Sequence, residues 1–298
     1  MITSVKFNGN PLTLVGRNVK ENYFAPDFRL VNTDLAEVAL SNFSASPAAG
    51  GQNDDATATK DKIKVITSFP SLDTPVCDLQ LKEFNSRAST LSAEVVIIGI
   101  SKDLPFAQKR FCNANNIKNV VTLSDYRYSS FGINYGLLIK ELNLLARAAL
   151  ILDKNNILRY MQIAEELTAQ LNYADILQHL EEVLKDPALS IKRELPAKCK
   201  PCEVGMPPLS KGPIDKFTTE HPSWAFKDNE RLVREIKFKD SLEAKYFLDV
   251  VSLICEEQGH HAILTLIHNK LKISLTTHSS GGVTENDLII ASIIDGLK

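Results

Sequence analysis

Apolar residues run almost without interruption through Ile63 to Phe69 (IKVITSF) and Glu94 to Ile100 (EVVIIGI), the pattern of buried strands. A turn and an amphipathic stretch from about Pro75 to Arg87 separate them, and a second helical stretch follows through Phe106 and Cys112. Ala148 to Asp153 (AALILD) and Ile157 to Ile163 predict two more strands about a Lys154-Asn155-Asn156 turn, and Tyr173 to Leu184 a closing helix. The first sixteen residues, MITSVKFNGNPLTLVG, alternate like a hairpin. Strands alternating with helices predict an α/β layer around a central sheet.

The pattern then breaks. Asp186 to Pro213 is dense in proline and has little periodicity, which predicts a linker or an extended domain entrance. Beyond it, Leu232 to Phe238 alternates as a strand and Ser241 to Gln258 is an amphipathic helix with Gly259 at its C-cap. Ala262 to Ile267 and Leu271 to Thr277 predict a hairpin, and Glu285 to Leu297 a final helix. Strand, helix, hairpin, helix is an α+β pattern, an antiparallel sheet with helices on one face. The expected division is therefore a first domain over 1–187, a connecting segment over 188–213 and a second domain over 214–298. A chain of 298 residues also exceeds what one core usually covers. Ser41 to Lys60, rich in Ser, Ala, Gly and Asp, cannot bury a core and reads as a mobile surface loop.

A net charge of −2 argues against nucleic-acid binding as the main activity. No apolar run approaches the roughly 20 residues needed to cross a bilayer, and the N-terminus lacks the apolar core of a signal peptide, so a cytoplasmic location is expected. Five cysteines, Cys77, Cys112, Cys199, Cys202 and Cys255, are too sparse for a secreted disulfide framework. Each reads instead as structural, metal-binding or reactive.

In SFPSLDTPVCDLQLKEF, Thr74 is a favourable N-cap and Pro75 suits the first helical position. Cys77 then falls in the first helical turn, where unpaired amides and the positive dipole end favour a thiolate. A thiolate is the species that attacks a peroxide oxygen. The bland reading of a lone cysteine is a small buried hydrophobe. Thr74-Pro75-Val76-Cys77, set within FPSLDTPVC, resembles the signature of the thiol peroxidases, a peroxiredoxin subgroup with a thioredoxin-like fold. That resemblance covers Met1 to about Leu184. It implies that Cys77 attacks the peroxide and becomes a sulfenic acid, and that Thr74 hydrogen-bonds the thiolate and peroxide. Arg147, in LNLLARAALILD, would hold both by charge-assisted bonds. Cys112, in KRFCNANNIKNV, would close a disulfide with Cys77 that thioredoxin reduces.

In the second domain, a two-residue turn at Asn269-Lys270 would pair His268 with Leu271 and set His261 opposite His278, with Cβ atoms about 5 Å apart. Leu264, Leu266, Leu271, Ile273 and Leu275 would take the other, apolar face. Glu256 and His260, four apart near a helix end, are close enough to interact. Several imidazoles in one cleft suit proton transfer near neutral pH and also suit a metal, so spacing alone leaves both open. The segment ICEEQGHHA…LTTHSSGGVTENDLIIASIID resembles pterin-4a-carbinolamine dehydratase, with KCKPCEVGMPPLS and WAFKDNERLVREIKF matching its N-terminal part, from about Leu195 to the end. The resemblance implies dehydration of a 4a-hydroxytetrahydropterin to a quinonoid dihydropterin without metal or cofactor. His260, His261 and His278 would bind the pterin and act as acid and base, and Glu256, Asp287 and Trp224 would contribute to substrate binding. It also implies a homo-oligomer. Ala262 stands where the family has proline, and His268 where it has an aromatic residue. Thr284-x-x-Asp287 reads equally as a helix capping box.

Cys199-x-x-Cys202 invites a zinc or redox reading, but no second cysteine pair follows at finger spacing, so it is taken as part of the domain's entrance segment. His179 and His221 read as surface residues. Two rival readings stand beside the bifunctional enzyme: a catalytically inactive C-terminal dimerisation or binding module, and a metal site at the three histidines.

Overall fold

A computed structural model describes residues 3–43, 62–185, 199–200 and 207–297. The chain divides into two compact units, Met1–Glu194 and Leu195–Lys298.

The first unit opens with β1 (Ser4–Phe7) and β2 (Asn10–Val15), an antiparallel hairpin. Asn8 and Gly9 at its turn have φ of +51° and +79°, the left-handed pair that a tight two-residue hairpin requires. There follow β3 (Arg29–Asn32), β4 (Glu37–Ala39), β5 (Ile63–Ser68), α1 (Pro75–Ala88), β6 (Val95–Ser101), α2 (Pro105–Ala114) and β7 (Val120–Ser124). Then come α3 (Ser130–Asn134), β8 (Leu138–Ile139), β9 (Leu144–Leu145), β10 (Ala148–Leu152), β11 (Leu158–Ile163) and α4 (Tyr173–Lys185). Seven strands form one sheet in the order β11-β10-β5-β6-β7-β3-β4, while β1-β2-β8-β9 form a smaller one. Only β5, β6 and β7 run parallel. This is the expected thioredoxin-like layer.

Every residue of β5 and β10 is buried, because both faces of the central sheet are covered. Leu30, Ile66, Ile98 and Leu150 point into one core, against Phe131 and the small sheet. Val65, Ile97 and Ile151 point into the other, against Leu81 and Phe84 of α1 and Ile176 and Leu180 of α4. Cys77 belongs to this second core. The sequence pattern left β3, β4, β7, β8, β9 and α3 unmarked. Each is at most five residues long, too short for a period to register. From residue 44 onward, the stretch read as a surface loop lies outside the described residues.

The second unit holds α5 (Lys211–Glu220), β12 (Ala225–Lys227), β13 (Arg231–Lys237), α6 (Ser241–Gln258), β14 (Ile263–Ile267), β15 (Lys270–Leu275) and α7 (Glu285–Asp295). Its strands form an antiparallel sheet in the order β12-β13-β15-β14, the expected α+β arrangement with helices. α5 begins at Lys211, inside the span read as a connecting segment; the rest of that span is mostly outside the described residues. Asp240 caps α6 by accepting the Glu243 N–H at 2.8 Å. Gly259 ends α6 at φ +63°, the left-handed conformation that costs glycine least.

The hairpin register differs from the expected one. Ile267 pairs with Lys270 and Leu266 with Leu271, so the turn is His268-Asn269. His268 takes a left-handed φ of +52°. The Asn269 amide donates to the Phe238 carbonyl at 2.6 Å, and the Phe238 N–H donates to the Asn269 carbonyl at 2.8 Å. These bonds pin the turn to the chain after β13. A shift of two residues keeps Leu264, Leu266, Leu271 and Ile273 on one face, but it leaves His261 ahead of β14, and His278 lies beyond β15 in a short 3₁₀ turn, His278–Ser280. The two histidines are not a cross-strand pair. No helix among the described residues is long and apolar enough to cross a membrane.

Candidate active sites

Cys77 is the third residue of α1, with Pro75 at the helix start. Its N–H donates to the Thr74 carbonyl at 3.1 Å, and its side chain is fully buried. Arg147 lies between β9 and β10 and is 2% exposed, one of the largest buried side chains of the chain. Its Nη2 donates to Cys77 Sγ at 3.3 Å and to the Leu167 carbonyl at 2.8 Å. Its Nε donates to the same carbonyl at 3.1 Å, and its Nη1 to Gln80 Oε1. Gln80 in turn donates from Nε2 to Thr67 Oγ1 at 2.5 Å and to the Ser68 carbonyl at 3.1 Å.

A buried guanidinium is costly unless paired. Among the groups that accept its hydrogen bonds, a backbone carbonyl and an amide are neutral. The Cys77 sulfur is the one that can become an anion. The sulfur thus lies at the first turn of α1 and within hydrogen-bond reach of the guanidinium.

Sequence reasoning missed Gln80. Its signal was a polar residue three places after Cys77, on the same helix face, where the pattern asks for an apolar one. Tyr173 also belongs to the surroundings: its ring meets Phe84 edge-on at 5.6 Å, and Arg87 lies 5.8 Å above it. Burial pushes the pKa of its hydroxyl up, disfavouring the phenolate, while the charge of Arg147 opposes that shift.

Thr74 does occupy the N-cap position, but its hydroxyl makes no capping bond. It donates instead to the Ser71 carbonyl at 3.1 Å. Cys112 sits in the last turn of α2, half-buried, with Sγ 3.7 Å from Thr122 Oγ1. Burial raises its thiol above the ordinary value, and the Thr122 contact partly offsets this. Both cysteines are free thiols.

In the second unit, Gly259 and His260 return their N–H groups to the carbonyls of Glu256 and Cys255, each at 3.1 Å. That reversal turns His260 inward and His261 outward. The buried His260 has Nε2 2.8 Å from Asp287 Oδ1. Asp287 is fully buried, and its other oxygen accepts from Thr277 Oγ1 at 2.8 Å, Thr284 N at 2.7 Å and Thr284 Oγ1 at 3.1 Å. Asp287 is thus both the capping-box residue of α7 and the partner of His260; the two readings of this residue are compatible.

Glu256, expected beside His260 from their spacing, stands near the next histidine. It lies 3.9 Å from His261 Nδ1, with both side chains exposed, because the turn at Gly259 carries His260 off the helix face. Trp224 is likewise not brought to the histidines by its contacts. Its indole donates to Asp295 Oδ1 at 3.1 Å, and Asp295 is eight residues after Asp287, about 12 Å along α7. Asp295 also takes Arg234 Nη1 at 2.6 Å and Ser223 Oγ at 3.0 Å, and pairs with His221 Nδ1 at 2.6 Å. His221 and His179 are therefore not plain surface residues: His179 Nδ1 lies 2.9 Å from the Asp175 carbonyl and its ring packs on Tyr160.

The backbone of Cys199 and Lys200 is pinned beside this second site. The Cys199 N–H donates to Gln258 Oε1 at 3.1 Å and the Lys200 N–H to Asn286 Oδ1 at 3.0 Å. Cys202 lies outside the described residues. Among the described residues, no group of three or more His, Cys, Asp or Glu is arranged to hold a metal ion.

Comparison with known proteins decides the first unit. Residues 20–177 match the family model described as redoxin. The chain belongs to the redoxin family. It is 45% identical over 174 residues to a thiol peroxidase of Clostridium acetobutylicum, covering 58% of this chain and 95% of that protein. It is 42% identical over 167 residues to a thiol peroxidase of Staphylococcus aureus, covering 56% of this chain and 91% of that one. The crystal structure of a peroxiredoxin-like protein from Aquifex aeolicus superposes with a TM-score of 0.52 at 38% identity, covering 61% of this chain and 98% of that chain. Residues 207–297 of this redoxin-family chain match the family model described as pterin 4 alpha carbinolamine dehydratase.

Proposed function

We propose that the chain is a bifunctional enzyme whose first unit reduces hydrogen and organic peroxides through Cys77. The observation that carries this reading is the buried Arg147, which donates a hydrogen bond to the Cys77 sulfur. The Cys77 thiolate attacks the distal peroxide oxygen, the O–O bond breaks, and the leaving alkoxide or hydroxide takes a proton. Cys77 is left as a sulfenic acid. Arg147 stabilises the thiolate and the developing oxygen charge. Thr74 joins the site by rotating its hydroxyl from the Ser71 carbonyl toward the sulfur when peroxide binds. The Cys112 thiol then displaces water from the sulfenic acid to give a Cys77–Cys112 disulfide, and a dithiol protein of the thioredoxin type returns two electrons and two protons. The thiol peroxidase relatives support the first half of this cycle.

The second unit dehydrates a 4a-hydroxytetrahydropterin, a reading supported by the family match over 207–297. Losing water from a carbinolamine needs an acid to protonate the departing hydroxyl and a base to take the ring N–H proton. The buried Asp287 orients His260 for that proton exchange through their 2.8 Å contact. The exposed His261, with Glu256 beside it, and His278 serve substrate binding and proton exchange with water. The chain assembles as a homo-oligomer.

The test is a paired assay on one purified sample. Cys77→Ser should abolish peroxide consumption and leave pterin dehydration intact; His260→Ala should do the reverse. Background dehydration in both wild type and His260→Ala would reduce the second unit to a binding or dimerisation module.

A further inference from the structure

The segment leading into α1 is tied to the segment leading into α2 by one carboxylate. Asp103 Oδ1 accepts Ser71 Oγ at 2.7 Å, and Oδ2 accepts the Leu72 N–H and Ser101 Oγ, each at 2.8 Å. The hydrogen bonds continue in both directions. On one side Thr74 N and Oγ1 donate to the Ser71 carbonyl, and Cys77 N donates to the Thr74 carbonyl. On the other, Gln108 Nε2 of α2 donates to Ser101 Oγ at 3.1 Å and to the Leu123 carbonyl at 3.0 Å. Cys112 lies one helical turn beyond Gln108. An unbroken polar chain thus runs from the Cys77 turn to the helix that carries Cys112.

The two cysteines are held over different strands. Gln80, one turn after Cys77, is anchored to Thr67 of β5, while Cys112 contacts Thr122 of β7. Thr67 and Thr122 both pair with Gly99 of β6, so they lie two strand spacings apart, about 10 Å. A disulfide needs Cα atoms within about 7 Å. Cys77 and Cys112 are both free thiols on separate anchors, and the Asp103 clasp ties the starts of their two helices together.

We propose that Asp103 is a positioning residue that restrains disulfide closure, tethering the turn before Cys77 to the start of α2 and prolonging the life of the sulfenic acid. The inference rests on the proposed Cys77–Cys112 disulfide. Ser71 and Asp103 touch neither the sulfur nor Arg147 in their described contacts, so their loss acts on closure rather than on attack.

The experiment follows full-length enzyme through one turnover with hydrogen peroxide. Peroxide attack is read by competition with a haem peroxidase, disulfide closure by rapid acid quench and thiol labelling, and sulfinic acid by mass spectrometry. Asp103→Asn places an amide donor against the donors of Ser101 or Leu72, and losing one charge-assisted bond should speed closure about ten-fold. Attack should stay within about two-fold of wild type, and sulfinic acid at high peroxide should fall in step with faster closure. Ser71→Ala, which deletes the bond to Asp103 and the longer one from the Asp73 N–H without adding bulk, should give a smaller increase and decides the matter if Asp103→Asn misfolds. Unchanged closure in the folded variants, or attack and closure slowed together, overturns the clasp while leaving the disulfide reading intact. Closure that persists in Cys112→Ser overturns the disulfide reading, and the clasp with it.

Discussion

Arg147 donates to the sulfur of Cys77 across 3.3 Å, although the two residues are 70 positions apart in the chain. The bond joins the first turn of a helix to the start of a neighbouring strand, and Gln80 and the Leu167 carbonyl fix the remaining guanidinium edges. Together these bonds hold the nearly buried guanidinium against the sulfur.

That geometry predicts a sharp response to Arg147→Lys. An ammonium keeps the charge but cannot bond Gln80, Leu167 and Cys77 together as a planar fork does. Loss of a charge-assisted hydrogen bond is worth roughly 1.5–3 kcal/mol, so peroxide attack should slow about 10- to 100-fold. Stopped-flow peroxide consumption checks this, and a rate within about two-fold of wild type would sink the role given to Arg147.

Asp287 carries a prediction for the second unit. Asp287→Asn keeps the size of the side chain and can still accept the Thr284 N–H, but it removes the charge facing His260. Dehydration should slow by about 10-fold or more in a steady-state assay, and peroxide consumption should not change. A dehydration rate within about two-fold of wild type would mean that Asp287 acts only as a helix cap.

Asp125 supplies a pH dependence of stability. It is buried, and its carboxylate accepts the N–H groups of Phe131 at 3.1 Å and Gly132 at 2.9 Å. Burial pushes its ionisation up from 3.8 to about 7, with these bonds and the charge of Lys102 pulling the other way. The folded value lies above the unfolded one, so the folded state holds an extra proton between them. Stability from this group is complete below about pH 4 and is lost as pH rises through about 7. A shift of this size corresponds to a few kcal/mol, about 4 at most. Urea unfolding monitored by hydrogen exchange in residues 125–135 should show a stability difference between wild type and Asp125→Asn that changes between pH 4 and 8. A constant difference would refute the buried, protonatable state.

Much of both units was legible in the chain. Long buried strands such as Ile63–Ser68, the proline-started helix Pro75–Ala88 and the capped helix Ser241–Gln258 are set by local rules of period, proline and glycine. The short strands Leu138–Ile139 and Leu144–Leu145 were not legible, because they exist only through their partners. The hairpin register was misplaced by two residues because the turn is held from outside by Phe238, which no reading of the hairpin alone could reveal.

The sequence by itself determined that Cys77 starts a helix, that Gly259 ends one, and that two different architectures share one polypeptide, because each depends on residues within a few positions of one another. Only the tertiary structure decided which group stands beside which. Arg147 against Cys77, Asp287 rather than Glu256 against His260, Trp224 on Asp295, and Asp103 between the two cysteine helices all join residues distant in the chain. Buried charges and donors take whatever partner the folded layers bring within reach, and leaving them unpaired costs more than any local preference can supply.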